Sequence, residues 1–354
     1  MILRMLLVFV PIAIGLHYAG VDPMWTFVAA AVSIIPLANL LTESTEKVAS
    51  FLGPTVGGLL NASLGNAPEI IIGAFALKNG LTGVVKASIT GSILANLLLS
   101  PGLAMLVGGW RREKQTFNAI FAGVTAALMM LAAVGLIIPS LFRLASASVE
   151  AELSLEIAIL LFVLYALSLV FSLVTHKHWF ATGAAHEEEQ AIPASRDGLK
   201  KGLALMAGTA VVLAVISEIL TDALEPATRA MGLSEVFAGV IVVGVLGNVA
   251  EIFVAVRFAQ SDNIELSLGS TLGAAQQVAL LVAPILVFLS YAFGPPMDLL
   301  FTRFEVVAIT LAVVVVGKLT ADGESNWFEG VMLIALYLMF ALGFYFFPVP
   351  ATPS

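Results

Sequence analysis

The sequence has no cysteine among its 354 residues, and only 11% of them are Asp, Glu, Lys or Arg. The first absence excludes disulfides, thiolate zinc sites, iron–sulfur clusters and cysteine nucleophiles. The second excludes an ordinary soluble domain, in which about 25% of residues carry charge. Enzyme chemistry is also without a carrier, because H-E-x-x-H, G-x-S-x-G and paired intramembrane aspartates are all missing. Nucleic acid is not an expected partner either, since the net charge is −8 and no basic patch is present to neutralise phosphates.

What is there is apolar. Hydrophobic residues make up 60% of the chain, which points to an all-α polytopic membrane protein with the lipid bilayer as its partner. A spanning helix needs about 20 mostly apolar residues. Eleven transmembrane helices are expected on that rule, at 3–20, 24–42, 50–77, 81–109, 115–140, 151–175, 198–221, 232–258, 263–290, 303–319 and 326–347. The third and fourth are long enough to tilt or break. The opening MILRMLLVFVPIAIGL has the look of a signal peptide, but no small-residue cleavage pattern follows it, so a retained first helix is expected.

Lys and Arg orient the bundle by the positive-inside rule. With the N-terminus cytoplasmic, eleven basic residues fall on the cytoplasmic side: Arg4, Lys47, Arg111, Arg112, Lys114, Lys177, Arg196, Lys200, Lys201, Arg257 and Lys318. Five fall outside: Lys78, Lys86, Arg143, Arg229 and Arg303. That asymmetry puts the C-terminus outside.

The chain divides into a leading helix (1–22), a five-helix unit (23–175), an acidic cytoplasmic linker (176–197) and a second five-helix unit (198–354). The linker holds Glu187-Glu188-Glu189, which is expected to be a solvated stretch. His176, His178 and His186 are expected to be ordinary loop residues.

LGNAPEIIIGA at 64–74 and LGNVAEIFVAV at 246–256 place Glu69 and Glu251 in two apolar helices, 182 residues apart. Their surroundings recur. T-E-x-x-E at 42–46 answers T-D-x-x-E at 221–225, and each following helix carries a Gly-Ser pair, an amide and a proline: Gly91-Ser92, Asn96 and Pro101, then Gly269-Ser270, Gln277 and Pro284. An odd number of helices separates the copies, so equivalent helices run in opposite directions. Two inverted five-helix repeats of this kind are the plan of many secondary transporters, with the ion site between them.

A carboxylate at the bilayer centre costs at least about 2.5–3.5 kcal/mol. No Lys or Arg lies mid-helix to compensate, which leaves a proton or a metal cation. Desolvation and a like-charged neighbour both favour protonation when the cation is gone. Asn66 and Glu69, like Asn248 and Glu251, are spaced i, i+3 on one helix face. With Ser92, Asn96 and Gln277 they offer only oxygen ligands, which suit Ca²⁺ or Mg²⁺. Glu69 and Glu251 are the expected metal ligands.

Pro68 cannot donate to the Leu64 carbonyl, which becomes free to face an ion. Ala250 holds the equivalent place, so the two halves need not break alike. Glycines 57, 58 and 65, with 239, 244 and 247, are expected to let the two motif helices approach each other. A single glutamate beside an asparagine also serves as interhelical glue; the symmetric pair favours an ion site. Glu43 and Glu46 at one face, with Glu218, Asp222 and Glu225 at the other, are entry clusters for cations or solvated helix ends.

G-N-A-P-E, then VVKASITGSILANLLL, then G-N-V-A-E resembles the calcium/proton exchangers of the calcium/cation antiporter superfamily, over almost the whole chain. The resemblance implies Ca²⁺/H⁺ antiport by alternating access, with Glu69 and Glu251 binding Ca²⁺ and protons in turn and no cofactor. It implies polar positions around that site for Asn66, Asn248 and Gln277, and a matching helix-4 pattern for Ser92 and Asn96. The 187–189 stretch resembles a linker associated with calcium sensing or gating.

Two departures stand out. Ile252 follows the second glutamate where relatives carry histidine, and Ala274 and Ala275 replace serines. The lack of a long N-terminal extension suggests a prokaryotic plasma-membrane member. The alternatives are exchange of Mn²⁺, Na⁺ or K⁺, and a passive cation channel; a channel usually builds its filter from symmetric subunits.

Overall fold

The structure is a computed structural model that describes residues 2–141, 147–176 and 196–346. Arg143, Lys177, His178, His186 and the Glu187–Glu189 run lie outside the described residues. His176 is within them and stacks on Phe171 at the end of its helix.

In chain order the helices are α1 (Leu3–Tyr18), α2 (Pro23–Ser50), α3 (Pro54–Leu64), α4 (Ala67–Lys78), α5 (Thr82–Gly109), α6 (Ala119–Leu141) and α7 (Val149–Thr175). They continue as α8 (Asp197–Met231), α9 (Glu235–Gln260), α10 (Ile264–Phe293), α11 (Arg303–Leu319) and α12 (Trp327–Phe346). Eight of these are long and apolar enough to cross a membrane. Two-residue strands, β1 (Gln115–Thr116) and β2 (Glu324–Ser325), pair antiparallel between helices.

Apolar side chains are not all inside. Leu160, Leu167, Val211 and Phe253 are exposed on outer helix faces, as a bilayer solvent allows. The inner faces sort into two clusters. One joins α1, α2 and α8 through Ala13, Ile34, Leu213, Ile216 and Leu220; the other joins α5 to α7 with α9 to α12. Helices α2 and α8 are antiparallel, with Val48 and Phe51 at the end of one against Gly202 and Gly198 at the start of the other.

Two departures from the sequence expectations have local causes. The stretch 50–77, expected as one helix, is two. Asn66 leaves helical geometry with φ −97° and ψ 23°, and Pro68 falls in the first turn of α4, where its missing N–H breaks no bond within that helix. The expected spans 24–42 and 198–221 run on to Ser50 and Met231, because their polar ends stay helical beyond the apolar stretch.

Helix widening recurs at related places. π-turns occupy Ala95–Leu99 in α5 and Val278–Val282 in α10, immediately before Ser100-Pro101 and Ala283-Pro284. A proline ring clashes with the carbonyl four residues back, and a wider turn relieves the clash.

The connection from α10 to α11 is extended yet buried, with Met297, Leu299 and Phe301 at 2%, 0% and 1% exposure. Its backbone N–H groups are met by hydroxyls instead of a ladder: Met297 donates to Ser290 (2.7 Å), Leu299 to Ser154 (3.0 Å) and Phe301 to Ser140 (3.0 Å). Ser154→Ala strands the Leu299 N–H. A loss of about 1–3 kcal/mol is expected, to be read as a lower thermal midpoint of the purified protein beside an unchanged Ser88→Ala control.

Candidate functional site

Two pairs of helices meet at the middle of the molecule. Helix α4 runs parallel to α10: Gly73 faces Leu286, and the Asn66 amide donates to Gln277 Oε1. Helix α5 runs parallel to α9: Gly91 faces Val240 and Gly244, and Asn96 Nδ2 donates to Asn248 Oδ1 at 2.6 Å. The amide pairs correspond. Asn66 and Asn248 are the asparagines of the two glutamate motifs, while Gln277 and Asn96 are the amides of the helices that follow.

The α5–α9 crossing is a backbone contact. A Cβ on Gly244 would lie 2.7 Å from Gly91 Cα, and one on Gly91 would run into the Val240 carbonyl. This closeness brings Asn248 Nδ2 within 3.0 Å of Ser92 Oγ and 2.6 Å of the Gly244 carbonyl. Asn248 and Asn96 are fully buried, Asn66 and Ser92 nearly so.

Glu69 sits in the first turn of α4, where the helix end presents partial positive charge. Its carboxyl reaches across to α9, so that a Cβ on Gly247 would be 3.1 Å from Glu69 Oε1. Glu251 lies one turn further along α9, its carboxyl beside the Asn96 side chain and within electrostatic reach of Glu69. Glu69, Ser88, Ser92, Gly247 and Val278 line a cavity of about 20 Å³ where α4, α5, α9 and α10 converge. That is room for about one water-sized sphere.

Four oxygens here are buried with no hydrogen-bond donor: Glu69 Oε2, Glu251 Oε2, Asn66 Oδ1 and Asn96 Oδ1. Orphaned buried acceptors are rare, and an ion is one reason for them. Among the described residues no three of His, Cys, Asp and Glu gather, so amides have to complete any shell around the two carboxylates.

The broken helix adds carbonyls. The last turn of α3 ends at the break with backbone acceptors that have no intrahelical partner. One is taken, since Tyr165 of α7 donates to the Ala62 carbonyl at 2.7 Å. In the other half, α9 passes through Glu251 without a break and carries a π-turn at Ala238–Val243 instead.

Several sequence expectations land elsewhere. Of the six glycines expected between the motif helices, only Gly247 faces a motif residue of the other helix; Gly57 faces Ala49, Gly58 faces Leu173, Gly65 lies near Gln277, and Gly239 and Gly244 face α5. Ser270, the counterpart of Ser92 in sequence, is exposed and bonded to its own helix at Ser267.

The residues expected as entry clusters are engaged by neighbouring side chains, not gathered with Glu69 and Glu251. Glu43 pairs with Arg4 at 2.9 Å, Glu218 with Lys78 at 2.8 Å and Glu225 with Arg229, while Asp222 accepts from Asn79; Glu46 lies one turn beyond Glu43 on α2. A second polar tie went unforeseen. Lys86 pairs with Asp298 at 2.7 Å, and buried Glu305 caps α11 while accepting from Thr90 at 3.1 Å. The T-x-x-E of Thr302–Glu305 was a legible capping signal.

A helical bundle of many spans, closed around two carboxylates carried on different helices, is the framework of a membrane ion exchanger. The profile of the family described as sodium/calcium exchanger protein matches residues 23–174 and 201–346. The chain belongs to that family, in its calcium/proton exchanger group. It is 40% identical over 358 residues to the Ca²⁺/H⁺ antiporter of Aphanothece halophytica, covering 97% of this chain and 96% of that one. It is 41% identical over 364 residues to the Ca²⁺/H⁺ antiporter of Synechocystis sp., covering 98% of each. The solved structure of native YfkE superposes with a TM-score of 0.84 at 35% identity, covering 97% of this chain and 99% of that one.

Proposed function

We propose that the protein exchanges Ca²⁺ for H⁺ across a membrane by alternating access, with Glu69 and Glu251 binding the cation and protons in turn. The observation that carries this is the set of four unpartnered buried oxygens, two from carboxylates and two from amides, on or beside helices α4, α5 and α9, where Glu69 lines a small cavity. Every one is a hard acceptor suited to Ca²⁺. Two carboxylates neutralise one divalent ion, and when it leaves, protons take its place. Each species excludes the other, and that exclusion couples the fluxes.

Asn66, Asn248, Asn96, Gln277 and Ser92 hold the carboxylates' surroundings in place, and the carbonyl end of α3 supplies further oxygens. Half-helix ends serve ions in this way in other transporters. The architecture proposed is eleven spans: α1 as the leading helix (1–22), two inverted repeats (23–175 and 198–354) and a linker (176–197). The exchanged amide pairs Asn66–Gln277 and Asn96–Asn248, and antiparallel α2 and α8, support it. The basic residues support a cytoplasmic N-terminus and outer C-terminus. The organisms of the two relatives support the plasma membrane of a prokaryote.

The test is Ca²⁺ flux into proteoliposomes with and without an imposed pH gradient. Flux that follows the gradient, with proton counterflow that a protonophore collapses, is expected. Equal Ca²⁺ flux without any gradient and without proton movement would make the protein a channel.

A further inference from the structure

Away from the ion centre, the ends of α5 and α9 frame an open cleft of about 390 Å³, lined by Val107, Gly108, Trp110, Arg111, Arg112 and Gln260. We infer that this cleft is a binding site for the phosphate headgroup of an anionic glycerophospholipid, held chiefly by Arg111.

Its chemistry is divided between two arginines with different tasks. Arg112 is fastened: Nη1 donates to the Gly108 carbonyl at 2.5 Å, Nη2 to the Gln260 carbonyl at 3.1 Å, and Nε meets Asp262 at 3.1 Å. Asp262 is held in turn by Gln115 at 2.9 Å. Arg112 therefore ties the end of α5 to the end of α9 and forms a wall. Arg111 is exposed and has no ion-pair partner among the described residues. It brings five donors in a planar fork suited to phosphate oxygens.

The other charges of this face do not satisfy it. Lys114 is engaged by Glu324 at 2.6 Å, and that hydrogen bond holds its ammonium above the usual lysine range. Glu113 is exposed beyond the cleft lining, and Arg257, one turn before Gln260 on α9, adds a further exposed cation without an ion pair among the described residues. Among the described residues, Arg111 and Arg257 are the unpaired cations of a face that also carries Asp322 and Glu329 on the segment packed against Trp110.

The surroundings commit the site to a lipid instead of a free anion. Trp110 lines the cleft at 66% exposure and meets Trp327 edge to face, with ring centroids 5.9 Å apart. Indoles at the ends of membrane helices sit at headgroup level. Val107, one turn up α5 on the cleft wall, is exposed as an acyl chain requires. Basic pockets between transmembrane helices hold anionic headgroups in this manner. Because α5 and α9 are also the helices that cross at Gly91 and Gly244, the lipid would clasp the two at one end.

The experiment is native mass spectrometry of the full chain, released from detergent with phosphatidylglycerol or phosphatidylcholine added at equal concentration. Wild type is expected to retain phosphatidylglycerol preferentially. Arg111→Gln is expected to retain it about five-fold less, the worth of one basic residue at an anionic surface, with phosphatidylcholine unchanged. Arg303→Gln, an exposed cation elsewhere, serves as the charge-matched control and should behave as wild type. Equal retention by wild type and Arg111→Gln overturns the site, as does an equal loss in Arg303→Gln. Competition by millimolar inorganic phosphate would assign the cleft to a free anion and overturn the lipid. None of these readouts depends on Ca²⁺ transport, so a failure here is separate from a failure of the exchange mechanism.

Discussion

Glu69→Gln is expected to abolish proton-driven Ca²⁺ uptake in proteoliposomes while leaving a folded, monodisperse protein. Glutamine keeps the shape of the side chain, so the cavity between α4, α5, α9 and α10 keeps its lining and its volume. What changes is charge. A carboxylate about 4 Å from a single positive charge contributes about 4 kcal/mol at an effective dielectric constant of 20. Removing it from a divalent ion therefore lowers affinity by at least about a thousand-fold. The substitution also removes a buried carboxylate oxygen that has no donor, Glu69 Oε2. Loss of that unpartnered buried charge should raise the thermal midpoint of the variant in the absence of Ca²⁺. Wild-type protein should gain stability on adding Ca²⁺ and the variant should gain none. Transport at the wild-type rate by Glu69→Gln would remove that carboxylate from the mechanism, and Glu251→Gln is expected to fail in the same way.

The second large effect belongs to a residue with no chemistry of its own. Gly91→Ala adds one methyl group where the α5 backbone already touches the α9 backbone, at the Val240 carbonyl. Neither neighbour is a flexible side chain, so the helices must separate. Overpacking of this kind costs about 1–3 kcal/mol, and the separation also stretches Asn96–Asn248 and Asn248–Ser92, now 2.6 and 3.0 Å. Loss of most transport and a thermal midpoint several degrees lower are expected. Gly247→Ala is the informative comparison. Its methyl group would first meet the flexible Glu69 side chain, with Oε1 at 3.1 Å, so stability should change little while apparent Ca²⁺ affinity falls. If Gly91→Ala transports normally, the crossing is looser than the structure has it.

The glutamates, asparagines, Ser92 and Gln277 were legible because burial of polar groups in an apolar helix is expensive, and the expense shows in the sequence itself. The division of labour among them was not. In sequence Asn66 stands beside Glu69, and Asn248 beside Glu251. In space Asn66 turns to Gln277 of α10, and Asn248 turns to Asn96 of α5. Spacing on one helix reports which face a side chain lies on; it does not report which helix that face meets. The glycines show the same limit. Six were read as a motif-to-motif seam, but five serve other neighbours, and only the folded structure says which.

Pro68 was legible as a lost hydrogen bond. That it ends one helix and starts another was decided by Asn66 leaving helical geometry just before it. The acidic clusters read as possible cation entries because charge at a helix end looks alike whether it is free or paired. Arg4, Lys78 and Arg229 reach Glu43, Glu218 and Glu225 from distances in the chain of 39, 140 and 4 residues, and two of those separations are invisible to local pattern.

By itself the sequence determined that this chain is a helical membrane protein, that two carboxylates lie within its apolar spans, and that oxygen chemistry surrounds them. Those are matters of composition and of transfer cost, which each residue carries wherever it goes. The tertiary structure alone decided that α5 and α9 touch backbone to backbone, that Asn66 pairs with Gln277 and Asn96 with Asn248, and that four oxygens of Glu69, Glu251, Asn66 and Asn96 are buried without a donor. Those depend on helix crossings set by packing over the whole bundle, of which the backbone contact at Gly91 is one.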